Sequence, residues 1–274
     1  MPVQGALADL RRSIRTIEGV QAAPRRATAA VALGFEPIDS HFEQAGLPPG
    51  AHQAAGAHGD PLAAWGFGCA LVCRVLAQRE GGRALMVQES SAVREAGKPY
   101  APGLLAFGLD PDRLAFVEVR HGAEALRVAN EALKSRAVAV VLVELCDGAI
   151  LADLSVTRRF NLAARRAGAL AIVITPTLEG TSAALTRWRV TPAPTAGPRR
   201  RLGAPAFDLE LTRNRLGPTG AWTVEWDCHD RRFRSPAPLP ASVARPAVDR
   251  PDAPGRQLPA SSGGGAPGAY RQAG

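Results

Sequence analysis

Basic side chains around one tryptophan are the residues best placed, by type and spacing, to do chemistry. Arg187 and Arg189 lie on either side of Trp188 in a short β-like segment. Since side chains alternate between the faces of a strand, both guanidinium groups can share one face while the indole packs in the core. Such a pair can contact phosphates, together with Arg199, Arg200 and Arg201 in the following loop. A solvated edge strand, whose arginines oppose aggregation, is an equally weighted alternative.

Two further groups of arginines have simpler interpretations. Arg213 and Arg215 stand on either side of Asn214, just before a Gly/Pro-rich turn, and a turn-capping asparagine with two exposed arginines is preferred. An expected helix at 153–168 carries four more on one face, because spacings of seven and eight residues return to the same side. They are Arg158, Arg159, Arg165 and Arg166. A basic face of this kind is typical of the solvated side of a helix.

The residue types that serve as nucleophiles and metal ligands form no recognisable site. The cysteines at 69, 73, 146 and 228 have no Cys or His pair at zinc-ligand spacing, so buried free thiols are predicted. The five histidines are scattered, and Ser90 and Ser91 lack the G-x-S-x-G elbow of a hydrolase. The sequence therefore predicts neither a metal site nor a catalytic triad.

Composition narrows the class of protein. The chain has 274 residues, and 33 Lys and Arg against 25 Asp and Glu give a formal net charge of +8. That excess favours anionic partners such as nucleic acid, but a GC-rich genome also produces such arginine-rich chains. No apolar run approaches the roughly 18 residues of a membrane span, and the first residues lack the pattern of a signal peptide. We therefore expect a cytoplasmic protein.

Alternating apolar segments predict the elements that position these residues. Strands are predicted at 51–55, 83–88, 114–119, 137–145 and 170–175, and helices at 62–79, 122–135 and 151–167. Strands that alternate with helices of this length specify a parallel sheet in an α/β fold. Short β segments at 187–190, 207–212 and 222–226 predict an antiparallel extension at the C-terminal edge.

The two ends of the chain differ from this α/β domain, which we assign to residues 31–234. Leu7, Leu10, Ile14 and Ile17 have helical spacing, so residues 1–30 are predicted to form an amphipathic helix and a linker. Residues 235–274 hold 8 Pro and 6 Gly with almost no large apolar side chains. Such a composition cannot offset the entropy of ordering, and a disordered tail is predicted.

Several segments resemble the RecA-like ATPases. The strings GFEPID at 34–39 and GLPPG at 46–50 are similar to the stretch that leads into the first strand and phosphate loop of those proteins. The string RNRLG at 213–217 resembles a segment near their protomer interface and nucleotide, which implies an interface role as the alternative for Arg213 and Arg215. The resemblance implies a RecA-like core over about residues 33–227, with a mostly parallel sheet flanked by helices.

The resemblance places the phosphate loop at Gly56–Ala63, where the chemistry departs from that family. A working loop reads G-x-x-x-x-G-K followed by Ser or Thr, because its N–H groups cradle phosphates, the lysine neutralises their charge and the hydroxyl binds Mg²⁺. Here Pro61, Leu62 and Ala63 occupy the last three places. The loop residues Gly56, Gly59, Asp60 and Pro61 are therefore degenerate, and neither ATP hydrolysis nor a bound cofactor is expected. Weak nucleotide binding at the helix start stays open.

Two strand ends also depart from the resemblance. Glu144 stands where an aspartate usually supports a metal-bound water, and Thr175 ends its strand with no glutamine beside it in the sequence. Both changes fall at the positions where the resemblance implies nucleotide chemistry.

Four segments narrow the resemblance to the ImuA family, RecA-like accessory proteins of bacterial damage-induced mutagenesis. They are Leu7–Glu18, Asp153–Gly168, Thr186–Val190 and Leu211–Trp226. The resemblance implies a non-catalytic adaptor of a translesion-synthesis assembly in the SOS response. Its implied partners are ImuB, an inactive relative of Y-family polymerases, and an error-prone C-family polymerase. Contacts with RecA and weak binding to DNA stay open.

Two alternative functions come from other classes. A DNA-dependent ATPase or recombinase mediator would need phosphate binding by Gly56–Ala63, against which the missing lysine and hydroxyl argue. A SulA-like cell-division inhibitor would share the core, but the long tail and the strands that continue to Trp226 favour the adaptor.

Overall fold

The computed structural model describes residues 30–57, 61–147, 150–151, 153–195 and 203–237. The predicted N-terminal helix and nearly all of the predicted tail lie outside these ranges, as do His58, Gly59, Asp60 and Arg199–Arg201. No helix within the described ranges is long and apolar enough to cross a bilayer.

Nine strands and six α-helices follow one another along the described residues. The strands are β1 (Gly50–Gly56), β2 (Ala84–Glu89), β3 (Leu114–Val119), β4 (Val140–Glu144), β5 (Leu170–Thr175), β6 (Thr186–Pro192), β7 (Ala206–Asn214), β8 (Gly220–Asp227) and β9 (Arg232–Arg234). The helices are α1 (Glu36–Asp39), α2 (Leu62–Gln78), α3 (Ser90–Ala96), α4 (Ala101–Phe107), α5 (Gly122–Ser135) and α6 (Leu154–Ala167), with a 3₁₀ turn at Pro111–Arg113.

All nine strands form one sheet in the order β3-β2-β4-β5-β1-β6-β7-β8-β9. The first six strands in this order pair in parallel, and β6 to β9 pair antiparallel. This confirms the predicted α/β fold with its antiparallel extension at the C-terminal edge. Strand β6 has β1 on one side and β7 on the other, so the interpretation of Arg187–Val190 as a solvated edge strand is wrong.

The sheet is covered on both faces, which explains why its central strands are almost wholly apolar. Helix α2 packs on one face, where Leu142 and Trp188 are fully buried. Helices α5 and α6 pack on the other face, against Val143 and Ala171. The antiparallel strands extend the first of these layers as far as Phe233.

The structure differs from the sequence prediction in its short elements. The strand predicted at 137–145 spans only Val140–Glu144, because Arg136 ends α5 in a left-handed conformation (φ 55°) and 137–139 form the connection. Helices α3 and α4 and strand β9 are absent from the prediction. Helix α4 buries none of its residues and β9 buries only Phe233, so neither carries an apolar period.

The GFEPID string, one of the segments that carry the RecA resemblance, has a folding role. The carboxylate of Asp39 accepts hydrogen bonds from the backbone N–H groups of Leu33 (2.7 Å) and Gly34 (2.9 Å). Burial raises the pKa of Asp39, and these hydrogen bonds oppose the rise. Gly34 has a φ of +85°, and a Cβ there would lie 2.7 Å from the Cβ of Arg232. The segment therefore closes the start of the domain onto β9.

Candidate functional site

The carboxyl ends of the parallel strands meet at one edge of the sheet, the position where open α/β sheets bind ligands. Gly56 ends β1, Glu89 ends β2, Glu144 ends β4 and Thr175 ends β5. Because β2, β4, β5 and β1 are successive neighbours, the structure gathers these four residues along one rim.

The start of α2 lacks the groups that bind phosphate in a working loop. Pro61 is the N-cap residue, has no N–H to donate and forms no side-chain cap. Leu62 stands in the lysine place with 60% of its surface exposed, and Ala63 stands in the hydroxyl place and is buried. An apolar side chain and a methyl group can neither neutralise a triphosphate nor hold Mg²⁺.

The acid at the end of β4 is bound to its neighbour on β2. Gln88 Nε2 donates to Glu144 Oε2 at 2.5 Å, and both side chains are buried. Burial raises the pKa of Glu144, the hydrogen bond from Gln88 opposes the rise, and nearby Glu89 adds to it. Gln88 Oε1 is buried and finds no partner among the described residues. A buried carboxyl group with a raised pKa, at the edge where open sheets bind ligands, is a candidate functional group.

A hydrogen-bonded network that the sequence did not reveal links β1, β5 and β6. Gln53 Nε2 donates to Thr175 Oγ1 (3.0 Å), and Arg187 Nε donates to Gln53 Oε1 (3.1 Å). Thr175 donates in turn to the carbonyl of Thr177 (2.7 Å). Thr175 is thus bonded to a glutamine that lies 122 residues away along the chain.

Two predicted contact arginines hold the loop that follows β5. Arg187 Nη2 donates to the carbonyl of Gly180 at 2.9 Å. The guanidinium of Arg215 donates to the carbonyls of Ser182 and Ala184, both at 3.1 Å. Burial lowers the pKa of Arg187, with Arg213 and Arg215 nearby adding to the effect. The geometry therefore brings three arginines together at the start of β6, level with Gln53 and away from the rim, and two of them position the loop.

The remaining predicted arginines have separate environments. Arg189 is on the same face as Arg187 and pairs with Glu210 on β7. Arg213 is opposite Arg187 in the antiparallel ladder and is half-buried. Between Arg213 and Arg215, Asn214 donates to the carbonyls of His41 (3.2 Å) and Pro218 (3.0 Å), which confirms the turn-capping interpretation. Arg215 is exposed as predicted, although its guanidinium is bonded to the loop, whereas the predicted exposure of Arg213 is wrong, because that residue is half-buried.

Trp188 and a histidine belong to a buried chain of donors and acceptors. Trp188 Nε1 donates to Thr186 Oγ1 at 2.8 Å, and Thr186 Oγ1 lies 2.8 Å from His52 Nδ1. His52 Nε2 lies 2.9 Å from the carbonyl of Pro48, which only accepts, so Nε2 carries the proton and Nδ1 accepts from Thr186. Burial lowers the pKa of His52 to about 4. The prediction of a core role for Trp188 agrees with its full burial.

The cysteines do not all follow the prediction of buried thiols. Cys69 and Cys73 are buried in α2, and burial raises the pKa of both thiols. Cys228 is half-buried. Cys146 is exposed, because it follows β4 at the rim, where its backbone N–H donates to Glu89 and its Sγ accepts from Ser91. Within the described ranges no three His, Cys, Asp or Glu side chains lie close enough to hold a metal ion.

The rim therefore carries two buried acids, Glu89 and Glu144, and the usual phosphate cradle is altered at the start of α2. The group of arginines lies away from the rim, at the start of β6. The best-supported chemical capacity of the arginine group is to contact an anion weakly through Arg213, since the charges of Arg187 and Arg215 are already engaged with carbonyl groups. Sequence reasoning found the arginines by type. It missed Gln53, for which the signal is two adjacent polar side chains, His52 and Gln53, in a strand otherwise made of Gly and Ala.

Comparison with known proteins places the chain in a family. A scan of protein family models finds no match. Protein ImuA of Caulobacter vibrioides strain NA1000 / CB15N is 32% identical over 222 residues, which cover 75% of this chain and 87% of that protein. Protein ImuA of Caulobacter vibrioides strain ATCC 19089 / CIP 103742 / CB 15 matches with the same identity and coverage. The chain belongs to the ImuA family.

Proposed function

We propose that this protein is a non-catalytic adaptor of a translesion-synthesis assembly, acting in the SOS response to DNA damage. Its partners are ImuB and an error-prone C-family polymerase, and it acts by protein–protein contacts without a bound cofactor. Membership in the ImuA family supports a role in damage-induced mutagenesis. Contact with DNA is auxiliary in this proposal.

The start of α2 is the single observation that carries the non-catalytic part of the proposal. Phosphoryl transfer depends on charge neutralisation by the loop lysine and on a metal held by the adjacent hydroxyl. Leu62 and Ala63 supply neither group, and Pro61 removes a backbone donor. The remaining fold is a rigid sheet with helices on both faces, which suits a protein that presents surfaces to partners.

ATP turnover tests the absence of catalysis. The full chain is purified and assayed with and without single-stranded DNA, with a RecA-type ATPase as the positive control. We expect turnover no faster than in buffer under both conditions. DNA-stimulated turnover would instead favour the DNA-dependent ATPase.

Co-purification tests the adaptor role. The chain is co-expressed with ImuB, with the error-prone polymerase, and with a tubulin-like division protein as the comparison. We expect a stable complex with ImuB and none with the division protein. Capture of the division protein in place of ImuB would favour the SulA-like alternative.

A further inference from the structure

A groove runs between the outer sides of α5 and α6, on the face of the sheet opposite α2. It has a volume of about 660 Å³, and all of its lining residues lie within the ranges that the structure describes. It belongs to neither the rim at the strand ends nor the arginines around Arg187, so the site described above leaves it without a role.

The floor of the groove is apolar. Leu126, Leu133 and Phe160 form its buried base, and half-buried Val156 and Ala163 continue it. Leu162 also lines the groove and is 37% exposed, which makes it one of four exposed large hydrophobic side chains among the described residues. The floor therefore presents apolar surface that a partner can bury.

The border of the groove is basic. Its charged lining residues are Arg127, Lys134, Arg136, Arg159 and Arg166, and no carboxylate lines it. Arg127 and Lys134 form ion pairs along α5 with Glu124 and Glu131. The other three form no salt bridge with any carboxylate in the described part of the chain. The groove thus has unbalanced positive charge around an apolar floor.

Charge complementarity decides what can occupy such a groove. Residues 1–29 carry five arginines against two acids, a net charge of +3, and residues 238–274 carry four arginines against two aspartates, a net charge of +2. A second copy of the chain brings a net charge of +8. The chain's own termini and a second copy of the chain are therefore less suited to the basic border of the groove than an acidic partner is.

We infer that the groove between α5 and α6 docks an acidic amphipathic helix of a partner protein. Apolar anchors at positions i, i+3 or i+4, and i+7 of that helix would contact the floor. Arg159 and Arg166 are seven residues apart on α6, about 10.5 Å along the helix axis. Carboxylates two turns apart on the incoming helix can therefore face both. The inference rests on the proposed adaptor function, for which it supplies a docking surface.

The test uses peptides selected on the full chain. A displayed library of random 16-residue peptides is selected for binding, and the recovered peptides are measured by fluorescence anisotropy. We expect acidic sequences with helical apolar spacing, whose Kd rises with salt. Arg159→Glu with Arg166→Glu should weaken their binding by about tenfold or more. The matched control, Arg158→Glu with Arg165→Glu, makes the same charge change on α6 outside the groove lining and should weaken it by less than about twofold.

The inference would be overturned by a selection that recovers no acidic helical peptide, by equal weakening in the two double variants, or by equal binding of the peptide with its acids changed to lysine. A groove that instead bound single-stranded DNA, through the same two arginines, would also overturn it. Co-purification of the wild-type chain with ImuB separates the two proposals. If ImuB is retained while the peptide results fail, only the groove is rejected; if ImuB is lost, the adaptor role is rejected.

Discussion

At the scale of single residues, the polar side chains inside this domain act mainly on one another. Trp188, Thr186, His52 and the carbonyl of Pro48 form one continuous donor–acceptor chain. Gln53 similarly completes the partners of Thr175 and Arg187. The contacts of Thr186 with His52, and of Gln53 with Thr175 and Arg187, join residues 122 to 134 positions apart in the sequence. Residue type alone shows only that such side chains can form hydrogen bonds. Their partners depend on the strand order and register of the sheet.

His52 makes the stability of the domain depend on pH. Its pKa is about 4 in the folded protein against an ordinary value of 6.5, so below pH 6.5 the unfolded chain binds the proton first. The stability that neutral His52 contributes is present above pH 6.5 and is lost as the pH falls towards 4. At pH 5 the expected loss is about 2 kcal/mol.

Urea unfolding at pH 7 and pH 5 measures this loss. His52→Gln should lose less free energy of unfolding between the two pH values than the wild type. The comparison isolates His52, since Asp39 and Glu144 contribute to both proteins. An identical pH dependence would contradict the prediction.

Arg187 and Arg213 are neighbours in the ladder but should differ in their effect on stability. Arg187→Ala removes the bonds to Gln53 and Gly180 and leaves a buried amide oxygen without that donor, which should cost about 1–3 kcal/mol. Arg213→Ala removes the same charge and should cost less than about 0.5 kcal/mol. Chemical denaturation gives the free energies. Faster hydrogen exchange in the loop at 177–185, in the Arg187 variant alone, would identify the loop as the part released.

At the scale of elements, the long apolar strands and amphipathic helices were predictable, and the short ones were not. β3, β5 and α5 have the predicted bounds, because each has its apolar period within its own residues. Strand β9 has only three residues, too few to show an apolar period in the sequence. Its pairing with β8 holds it in the sheet. In the candidate site, the altered phosphate loop and the arginines could be predicted from the sequence. The side chains and carbonyl groups that bind Arg187, Arg189 and Arg215 could not.

Strand β9 should nevertheless stabilise the domain through one side chain. Phe233 is fully buried between Phe67 and Trp226, with ring centroids 5.8 and 5.0 Å away. Phe233→Ala should therefore lower the free energy of unfolding by about 3–5 kcal/mol. Arg232→Ala, in the same strand with an exposed side chain, should change it by less than about 0.5 kcal/mol. If Phe233→Ala lowered the free energy of unfolding as little as Arg232→Ala, the prediction would be wrong and β9 would be dispensable.

At the scale of the whole molecule, the domain should end soon after β9. The backbone N–H of Ala237 still donates to buried Glu225 (3.1 Å), whereas the composition of 238–274 cannot build a core. A chain that ends at Ala237 should keep its Tm within about 2 °C of the full protein. A chain that ends at Arg231 loses Phe233 and should melt about 6 to 20 °C lower. Thermal scans of the three proteins compare them directly, and a large drop for the longer truncated chain would contradict the prediction.

The position of β1 in the sheet has a consequence for synthesis on the ribosome. β1 lies between β5 and β6, so neither of its neighbours exists when Gly56 is made. At translation rates of about 5–20 residues per second, some 7 to 27 s pass before β6 is complete. During that interval the apolar faces of β1 and α2 lack their final neighbours. We therefore expect chaperones to raise the yield of folded protein by protecting the nascent chain, and slower growth at low temperature to raise it as well.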